Sequence, residues 1–320
     1  AMQHANGWRA PPAPGRIAVQ RRVDISVVVS TYQRPNHLRN ALESLAAQRG
    51  VDGRFEVVVC DDGSTDHTHD VVESFAAEAP FRVAFTTHRH DGFRLSQCRN
   101  EGATVAAAPY LLFTDGDCLL PPDHLAMHLR RRRPGRVAAG DCYRLDEAST
   151  ARLTTDLVRG AAYRDWPSAA ELKRVRQKAT RARVYGALRV PMRPRLTGCN
   201  IGVWRDDFER VNGFDEGYVG WGYEDRDLQR RLARAGVRTR TILHWTVAYH
   251  QWHQRDPTFS RAGAGTANLS YYKQTDGRVR CASGLDNHRE PSRVVFCRLR
   301  PEELGRFRVS PINPALQETP

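Results

Sequence analysis

Apolar and polar residues follow one another along residues 24–133 in a pattern that predicts strands followed by helices. The β-branched run "DISVVVSTY" precedes a segment whose apolar residues have helical spacing, at Leu38, Ala41, Leu42 and Leu45. The same succession recurs after the strand-like runs "FEVVVCDDGS", "FRVAFTTH" and "PYLLFTDGD". Strands that alternate with helices are typical of a mostly parallel sheet covered on both faces. The pattern therefore predicts an α/β fold.

The rest of the chain is less regular and suggests the domain boundaries. Residues 1–22 are rich in proline and have no apolar stretch of the signal-peptide kind, which predicts a flexible N-terminal arm. Residues 23–255 are expected to form one domain, with a basic helical insertion at 168–189 and a strand-like run at 238–250. The Pro-, Gly- and Arg-rich segment 256–320 predicts an irregular C-terminal extension, a lid or tail packed on that domain.

Charge and cysteine content restrict the class of partner and the compartment. The formal net charge of +13 favours an anionic partner: nucleic acid, a phosphorylated small molecule or a membrane surface. The seven cysteines have no metal-binding spacing, which predicts buried, reduced thiols and a cytoplasmic location. No run approaches the roughly 18 apolar residues of a membrane-spanning helix.

Two carboxylates separated by a glycine follow the fourth strand-like run. Strand alternation puts Asp115 and Asp117 on one face, and Gly116 lets a bulky anion approach the backbone between them. Hard oxygen ligands of this kind suit Mg²⁺ or Mn²⁺ holding a diphosphate. The alternative is a polar turn that only ends the strand.

Other strand ends carry groups suited to a nucleotide, since ligands of such sheets bind at the carboxyl ends of the strands. Asp61 and Asp62 are candidate acceptors for the N–H groups of a base or for a ribose, although Ser64 and these acids also suit a helix cap. Thr31 and Arg34 follow the first strand, and Arg34 is placed to meet a phosphate. In the "RNEG" segment, Arg99 at a predicted helix start is a candidate clamp for the diphosphate.

The stretch "GWGYEDRDL" predicts a helix over about 222–235 that begins with acids. Glu224 and Asp225 lie at its N-terminus, where the helix dipole stabilises negative charge, and flank the apolar stripe of the helix. A general base needs such a positioned carboxylate beside a pocket wall, and Trp221 with Tyr223 offers flat aromatic faces for a sugar.

The alternative interpretation of these acids is purely structural. Glu224 and Asp225 satisfy the first-turn preference for acids, while Asp227 pairs with Arg230 or Arg231. Farther along, His250 and His253 lie at and just after the end of a strand-like run. A histidine in such a place is usually structural. The alternative, that both are ligands of the same cation, requires the acids to lie beside them.

Taken in order, these motifs resemble family 2 glycosyltransferases of the GT-A fold, a Rossmann-like α/β architecture. The segments that carry the resemblance, over about 24–255, are "STYQRP", "CDDGSTD", "RNEG", "TDGDC", "TGCN", "GFDEGYVGWGYEDRDL" and "AYHQWH". Residues 197–236 look like the C-terminal half shared with β-1,4-galactosyltransferases and bacterial chondroitin-type polymerases.

The resemblance implies a role for each matching residue. Asp61 and Asp62 are expected to contact uracil and ribose, and Asp115 the ribose or the metal. Asp117 and His250 are expected to bind Mn²⁺ or Mg²⁺ directly. Asp225 is implied as the base that deprotonates the acceptor hydroxyl, with Glu224 holding sugar hydroxyls. The residues implied to line the sugar pockets are Gly198, Asn200, Trp221, Gly222 and Tyr223.

The expected function is metal-dependent, inverting transfer of a sugar from a UDP-sugar of the Gal, GalNAc, Glc or GlcNAc type. The expected acceptor is a hydroxyl of a glycan, glycolipid or other small molecule, and the expected process is polysaccharide or glycoconjugate synthesis. A retaining enzyme like the polypeptide GalNAc-transferases is the alternative within this chemistry, and Asp225 argues against it. A nucleotidyltransferase lacks support because no glycine-rich loop follows the first strand. Scattered arginines argue against a specific nucleic-acid binder. The basic charge leaves two uses open, attraction of the donor or docking to an anionic membrane.

Overall fold

A computed structural model of the chain describes residues 23–254 and 267–288, together with the backbone of 293–298. The predicted arm at 1–22 and the remainder of the predicted C-terminal extension lie outside the described residues.

The strands of the described residues form two sheets. The strand bounds are β1 (Ile25–Thr31), β2 (Phe55–Asp61), β3 (Arg82–Thr87), β4 (Tyr110–Asp115), β5 (Cys118–Leu119), β6 (Arg136–Ala139), β7 (Cys142–Arg144), β8 (Ile201–Trp204), β9 (Arg238–Thr241), β10 (Ala248–His250) and β11 (Arg293–Arg298). The larger sheet has eight strands in the order β11-β3-β2-β1-β4-β8-β6-β9, with β3, β2, β1 and β4 parallel at its centre, and the smaller sheet has three in the order β5-β10-β7.

Helices cover both faces of the large sheet, which confirms the predicted α/β class. Their bounds are α1 (Pro35–Ala46), α2 (Thr68–Glu78), α3 (Leu95–Val105), α4 (His124–Arg131), α5 (Glu147–Ala151), α6 (Thr155–Arg159), α7 (Ala169–Ala187), α8 (Arg205–Arg210), α9 (Glu224–Arg234) and α10 (Ala267–Gln274), with a 3-10 helix at Ala162–Asp165.

Alternate residues of the central strands enter two separate cores, which explains why these strands read as continuous apolar runs. In β1, Val27 and Val29 pack with α1, α2 and α4, whereas Val28 faces the core that includes α3, α8 and α9. Leu228 and Leu232 give α9 its buried stripe on this second side. The two cores fix the sheet between helix layers and leave the strand ends open for a site.

Three sequence-based expectations need correction here. The run at 238–250 is two strands in different sheets, β9 and β10, because the chain turns where the N–H groups of Trp245 and Thr246 donate to the carbonyl of Ile242. Ser64 does not cap α2, which begins at Thr68 with Asp66 accepting from its N–H. The extension after 255 is regular in part, since it contains α10 and β11.

Other expectations are met. The basic insertion is the helix α7, which Ser168 caps by accepting from the N–H of Glu171, and which packs on β7 and β9. The six cysteines whose side chains are described are buried free thiols. Among the described residues, no helix has both the length and the apolar character needed to cross a bilayer.

Candidate active site

The carboxyl ends of three parallel strands form the floor of the candidate site. Thr31 pairs in register with Asp61, and Ser30 with Asp115, so the ends of β1, β2 and β4 lie side by side. Gly116 follows at once, and a Cβ there would lie 3.0 Å from the Ser30 carbonyl oxygen and 3.1 Å from Thr31. A side chain at this position would therefore crowd the neighbouring strand, and the role of Gly116 in admitting a ligand to the backbone stays a prediction.

The two acids after β2 are buried and held by different partners. Asp61 accepts from the N–H of Ser64 and from the hydroxyl of Thr87, both at 2.8 Å. Asp62 accepts from the backbone N–H of Arg94 at 3.1 Å and contacts Nε2 of His88 at 2.8 Å. Neither acid caps α2, so the alternative interpretation of this motif as a helix cap is wrong.

His88 joins two buried carboxylates. Its Nε2 lies 2.8 Å from Asp62 and its Nδ1 lies 2.9 Å from Glu101. Burial alone would lower the pKa of His88, but the two hydrogen-bonded carboxylates raise it to about 10. An imidazolium at this position offsets the negative charge of Asp62 and Glu101 behind the strand ends, and its hydrogen bond fixes the rotamer of Asp62.

A buried arginine connects the end of β4 with the start of α9. The Arg99 guanidinium donates to Asp115 at 3.0 Å and to Asp225 at 3.1 Å, and only 1% of its side chain is exposed. Burial opposes its charge, but Asp225 and Asp115 raise the pKa of Arg99. The backbone N–H of Gly198 donates to the other Asp225 oxygen at 2.7 Å, and a Cβ on Gly198 would lie 2.2 Å from the guanidinium.

Glu224, the first residue of α9, differs from its neighbour. One of its carboxylate oxygens is buried with no hydrogen-bond partner among the described residues. Burial and then the charge of Asp225 raise the pKa of Glu224 to about 8, against the effect of Arg99. At neutral pH Glu224 is therefore mainly protonated and able to donate a hydrogen bond, whereas Asp225 forms an ion pair with Arg99.

Three side chains converge on a candidate metal site. The small sheet aligns His250 of β10 with Cys118 of β5, and Gln251 donates its N–H to the carbonyl of Asp117 at 2.9 Å. Nε2 of His250 and of His253 thus lie 3.5 and 3.0 Å from the Asp117 carboxylate. Burial would raise the pKa of Asp117, but His250, His253 and Arg34 lower it.

These donors suit a divalent cation. The ligand atoms of Asp117, His250 and His253 lie within 4.8 Å of one another, as do those of Asp115, Asp117 and Cys118. Because Mg²⁺ in proteins is bound almost entirely by oxygen, two imidazoles beside a carboxylate favour Mn²⁺ over Mg²⁺. Arg34 approaches Asp117 at 3.5 Å and is 36% exposed, so its guanidinium also faces this part of the site.

The aromatic loop before α9 makes a sharp turn. Gly222 and Tyr223 both have positive φ, at 101° and 77°, which brings the helix start toward the sheet edge. Asn268 of α10 donates to the carbonyl of Gly222 at 3.0 Å and so holds the turn. Trp221 is 47% exposed, and the Tyr223 ring lies under the guanidinium of Arg226 at 5.3 Å.

Residues 26–189 match the model of glycosyl transferase family 2, which is just over half of the chain. The chain belongs to glycosyl transferase family 2. Residues 189–254 match a second model, described as the N-terminal domain of galactosyltransferase. The two ranges together confirm the predicted resemblance, including the likeness of the C-terminal half to galactosyltransferases.

Relatives of this glycosyltransferase chain include enzymes with different substrates. A validoxylamine A glucosyltransferase from Streptomyces hygroscopicus subsp. limoneus is 35% identical over 248 residues, covering 73% of this chain and 52% of the relative. Chondroitin synthase from Escherichia coli is 25% identical over 243 residues, covering 71% of this chain and 34% of the relative. The chain therefore spans about half the length, or less, of these two relatives.

A solved structure supports the fold. S. aureus TarS 1-349 in complex with UDP-GlcNAc superimposes with a TM-score of 0.50 at 18% identity, covering 73% of this chain and 60% of that chain. Together with family membership, this likeness confirms the predicted GT-A architecture.

The structure of this family 2 chain brings most of the predicted site residues together, with two corrections. Arg99 lies inside α3, five residues into the helix, and not at its start. Asn200 does not reach the site, because its side chain is completely buried and accepts from Nε2 of His128 at 2.9 Å. Two further residues belong to this site, His88 and Glu101, which the motifs did not indicate. The sequence signal for them is that His88 directly follows β3, as acids follow the neighbouring strands.

Proposed function

We propose that the chain catalyses metal-dependent, inverting transfer of a hexosyl group from a UDP-sugar to a hydroxyl of a glycan, glycolipid or other small acceptor. One observation carries the proposal: Asp115 belongs to both halves of the site. Its carboxylate lies in the acidic group with Asp117, and it shares the guanidinium of Arg99 with Asp225. A donor held by metal ligands and an acceptor beside Asp225 thus meet at one place.

On the donor side, the nucleotide binds at the strand ends. Thr31, Asp61 and Asp62 hold uridine, with His88 fixing the carboxylate of Asp62 from behind. Asp117, His250 and His253 hold the cation, assisted by Asp115, and Arg34 faces the diphosphate. When bound, the divalent cation supplies positive charge that stabilises the departing diphosphate.

On the acceptor side, Asp225 acts as the general base. The acceptor oxygen forms a bond to the anomeric carbon as the bond from that carbon to the UDP oxygen breaks, UDP leaves with the electron pair, and the hydroxyl proton passes to Asp225. Attack opposite the leaving group inverts the anomeric configuration. Protonated Glu224 donates a hydrogen bond to a sugar hydroxyl, because its buried carboxyl has an oxygen without a partner among the described residues.

The position of Asp225 favours inversion over the retaining alternative. Inverting transfer requires a base that contacts the acceptor, and Asp225 combines 19% side-chain exposure with an ion pair to Arg99. The name of one relative, a glucosyltransferase, supports a glucosyl donor, and UDP-Glc, UDP-GlcNAc, UDP-Gal and UDP-GalNAc all stay predicted donors. A role in polysaccharide or glycoconjugate synthesis and a cytoplasmic location stay predictions.

The test is UDP release from each of the four donors, with Mn²⁺, with Mg²⁺ and with chelator. We expect one donor to give release that Mn²⁺ supports better than Mg²⁺ and that chelator stops. Asp117→Asn is the matched inactive control, since it removes a metal ligand charge with little change of shape. No release from any donor, together with no donor binding by calorimetry, would overturn the proposal.

A further inference from the structure

A cavity of about 720 Å³ opens at the outer edge of the large sheet and shares no residue with the candidate active site. The ends of α4 and α7 and the strands β6 and β9 form its walls. Its size is typical of a site for one small molecule or head group. The lining contains one histidine, no carboxylate, and six arginines, Arg131, Arg132, Arg133, Arg136, Arg183 and Arg240.

None of these six arginines makes an ion pair within the described part of the chain, although Arg174 on the same helix α7 pairs with Asp141 and Glu171. Arg240 donates to the carbonyl of Gly186 at 3.0 Å, but its Nε is buried with no partner among the described residues. Six uncompensated like charges around one cavity repel one another and raise the local potential. The cavity is therefore suited to an anion.

Apolar side chains at the rim narrow the choice of anion. The Trp245 ring lies 4.3 Å from the guanidinium of Arg131 and remains 40% exposed. Leu188, directly after a lining residue at the end of α7, is 71% exposed, and Val184 one turn earlier is 50% exposed. Exposed tryptophan and aliphatic side chains beside arginines are the composition of surfaces that lie in the interface of a bilayer.

We propose that this cavity binds the phosphate of an anionic lipid head group and thereby docks the protein on a membrane surface. Guanidinium groups bind phosphate oxygens in bidentate pairs, and a cavity of this size accommodates one head group. The exposed Trp245 and Leu188 then enter the acyl boundary beside it. A soluble phosphorylated molecule has the same phosphate chemistry but gives these apolar side chains nothing to contact. The proposal is independent of the proposed transfer reaction.

The test is co-sedimentation with vesicles of phosphatidylcholine alone or with added phosphatidylglycerol, over a range of salt. We expect binding only with the anionic lipid, weakening as salt rises. The variant Arg131→Gln/Arg136→Gln/Arg183→Gln should bind at least about tenfold more weakly, and the same three positions changed to Lys should retain most of the binding. The matched control is Arg39→Gln/Arg176→Gln/Arg181→Gln, three exposed arginines outside the cavity that should leave binding intact.

A Leu188 variant and a calorimetric measurement test the proposal further. Leu188→Glu changes one exposed residue, which leaves the fold intact, and should also weaken binding to the anionic vesicles. Equal binding of the wild type and the cavity variant, or equal loss in the control variant, would overturn the proposal. Calorimetry with inorganic pyrophosphate distinguishes a lipid phosphate from the phosphate of a soluble ligand. If the wild type binds pyrophosphate saturably, the cavity variant does not, and the wild type does not bind vesicles, the cavity is a site for a soluble ligand. Because these measurements use no sugar donor, their failure is distinct from a failure of the transfer reaction.

Discussion

The guanidinium of Arg99 lies 3.1 Å from the carboxylate of Asp225, a residue 126 positions later in the chain. The same guanidinium contacts Asp115, so one buried cation joins the end of β4 to the start of α9. Arg99 is thus a positioning residue that fixes the distance between the donor half and the acceptor half of the site, and it places one positive charge between two neighbouring carboxylates.

Replacing Arg99 by Gln should destabilise the protein, because two half-buried carboxylates lose their counter-charge. We expect the free energy of unfolding to fall by roughly 3 kcal/mol, the low end for a broken buried ion pair, since both acids keep some contact with solvent. Arg94→Gln is the control, because the partner of Arg94, Asp91, is 61% exposed, and its loss should be below about 1 kcal/mol. Urea denaturation measures both; equal losses would contradict the special role of Arg99.

Replacing Asp225 by Asn should separate catalysis from donor binding. Transfer should fall by at least about a hundredfold, the usual effect of losing a general base, with UDP-sugar affinity nearly unchanged. Glu224→Gln is the informative comparison at neutral pH, since the pKa of Glu224 is raised to about 8 and Gln resembles its protonated form. We therefore expect the smaller loss from Glu224→Gln. The opposite order, measured as kcat for transfer, would make Glu224 the base.

Local patterns were sufficient to predict the α/β class and the groups at the strand ends. The carboxyl ends of neighbouring parallel strands lie together, so Asp61 and Asp115 converge once the strands are recognised. The position of the acids at the start of α9 can also be predicted from the sequence, because acids are common in the first turn of a helix and here they precede an apolar helical stripe. The structural pairing expected for Asp227 is also present, with Arg230 at 2.9 Å and Arg231 at 2.6 Å.

Contacts between distant segments could not be predicted in this way. Spacing does not reveal that Arg99 reaches Asp225, nor that His128, 72 positions before Asn200, holds that side chain in the interior. His253 lies closer to Asp117 than His250 does, although only the latter belongs to a strand. In each case the contact depends on how helices and loops pack across the sheet. The local spacing of apolar residues in the sequence does not determine that packing.

Both histidines should contribute to metal binding. His250→Ala and His253→Ala should each weaken Mn²⁺ binding at least about tenfold, because each removes one nitrogen next to Asp117. His67→Ala is the control, since its ring is 88% exposed and its ion pair is with Asp70, which is itself 69% exposed. Calorimetry of Mn²⁺ binding to the chelator-treated protein gives the affinities. An unchanged affinity in His253→Ala would restrict the protein ligands to Asp117 and His250.

His88 should make stability depend on pH in the alkaline range. Its pKa is raised from 6.5 in the unfolded chain to about 10, so the folded state binds its proton more tightly. The stabilisation is complete below about pH 6.5 and is lost as the pH rises through about 10, since there the folded state gives up the proton that paired with Asp62 and Glu101.

Replacing His88 by Gln removes this dependence, because Gln has no proton to lose between those pH values. The variant should be less stable than the wild type near pH 6, and the difference between them should shrink steadily toward pH 10. Urea midpoints at a series of pH values measure the difference, with His69→Gln, whose side chain is 45% exposed, as the control that should follow the wild type. A difference that stays constant over this range would mean that His88 is neutral in the folded protein, donating to one of the two acids and accepting from the other in its protonated form.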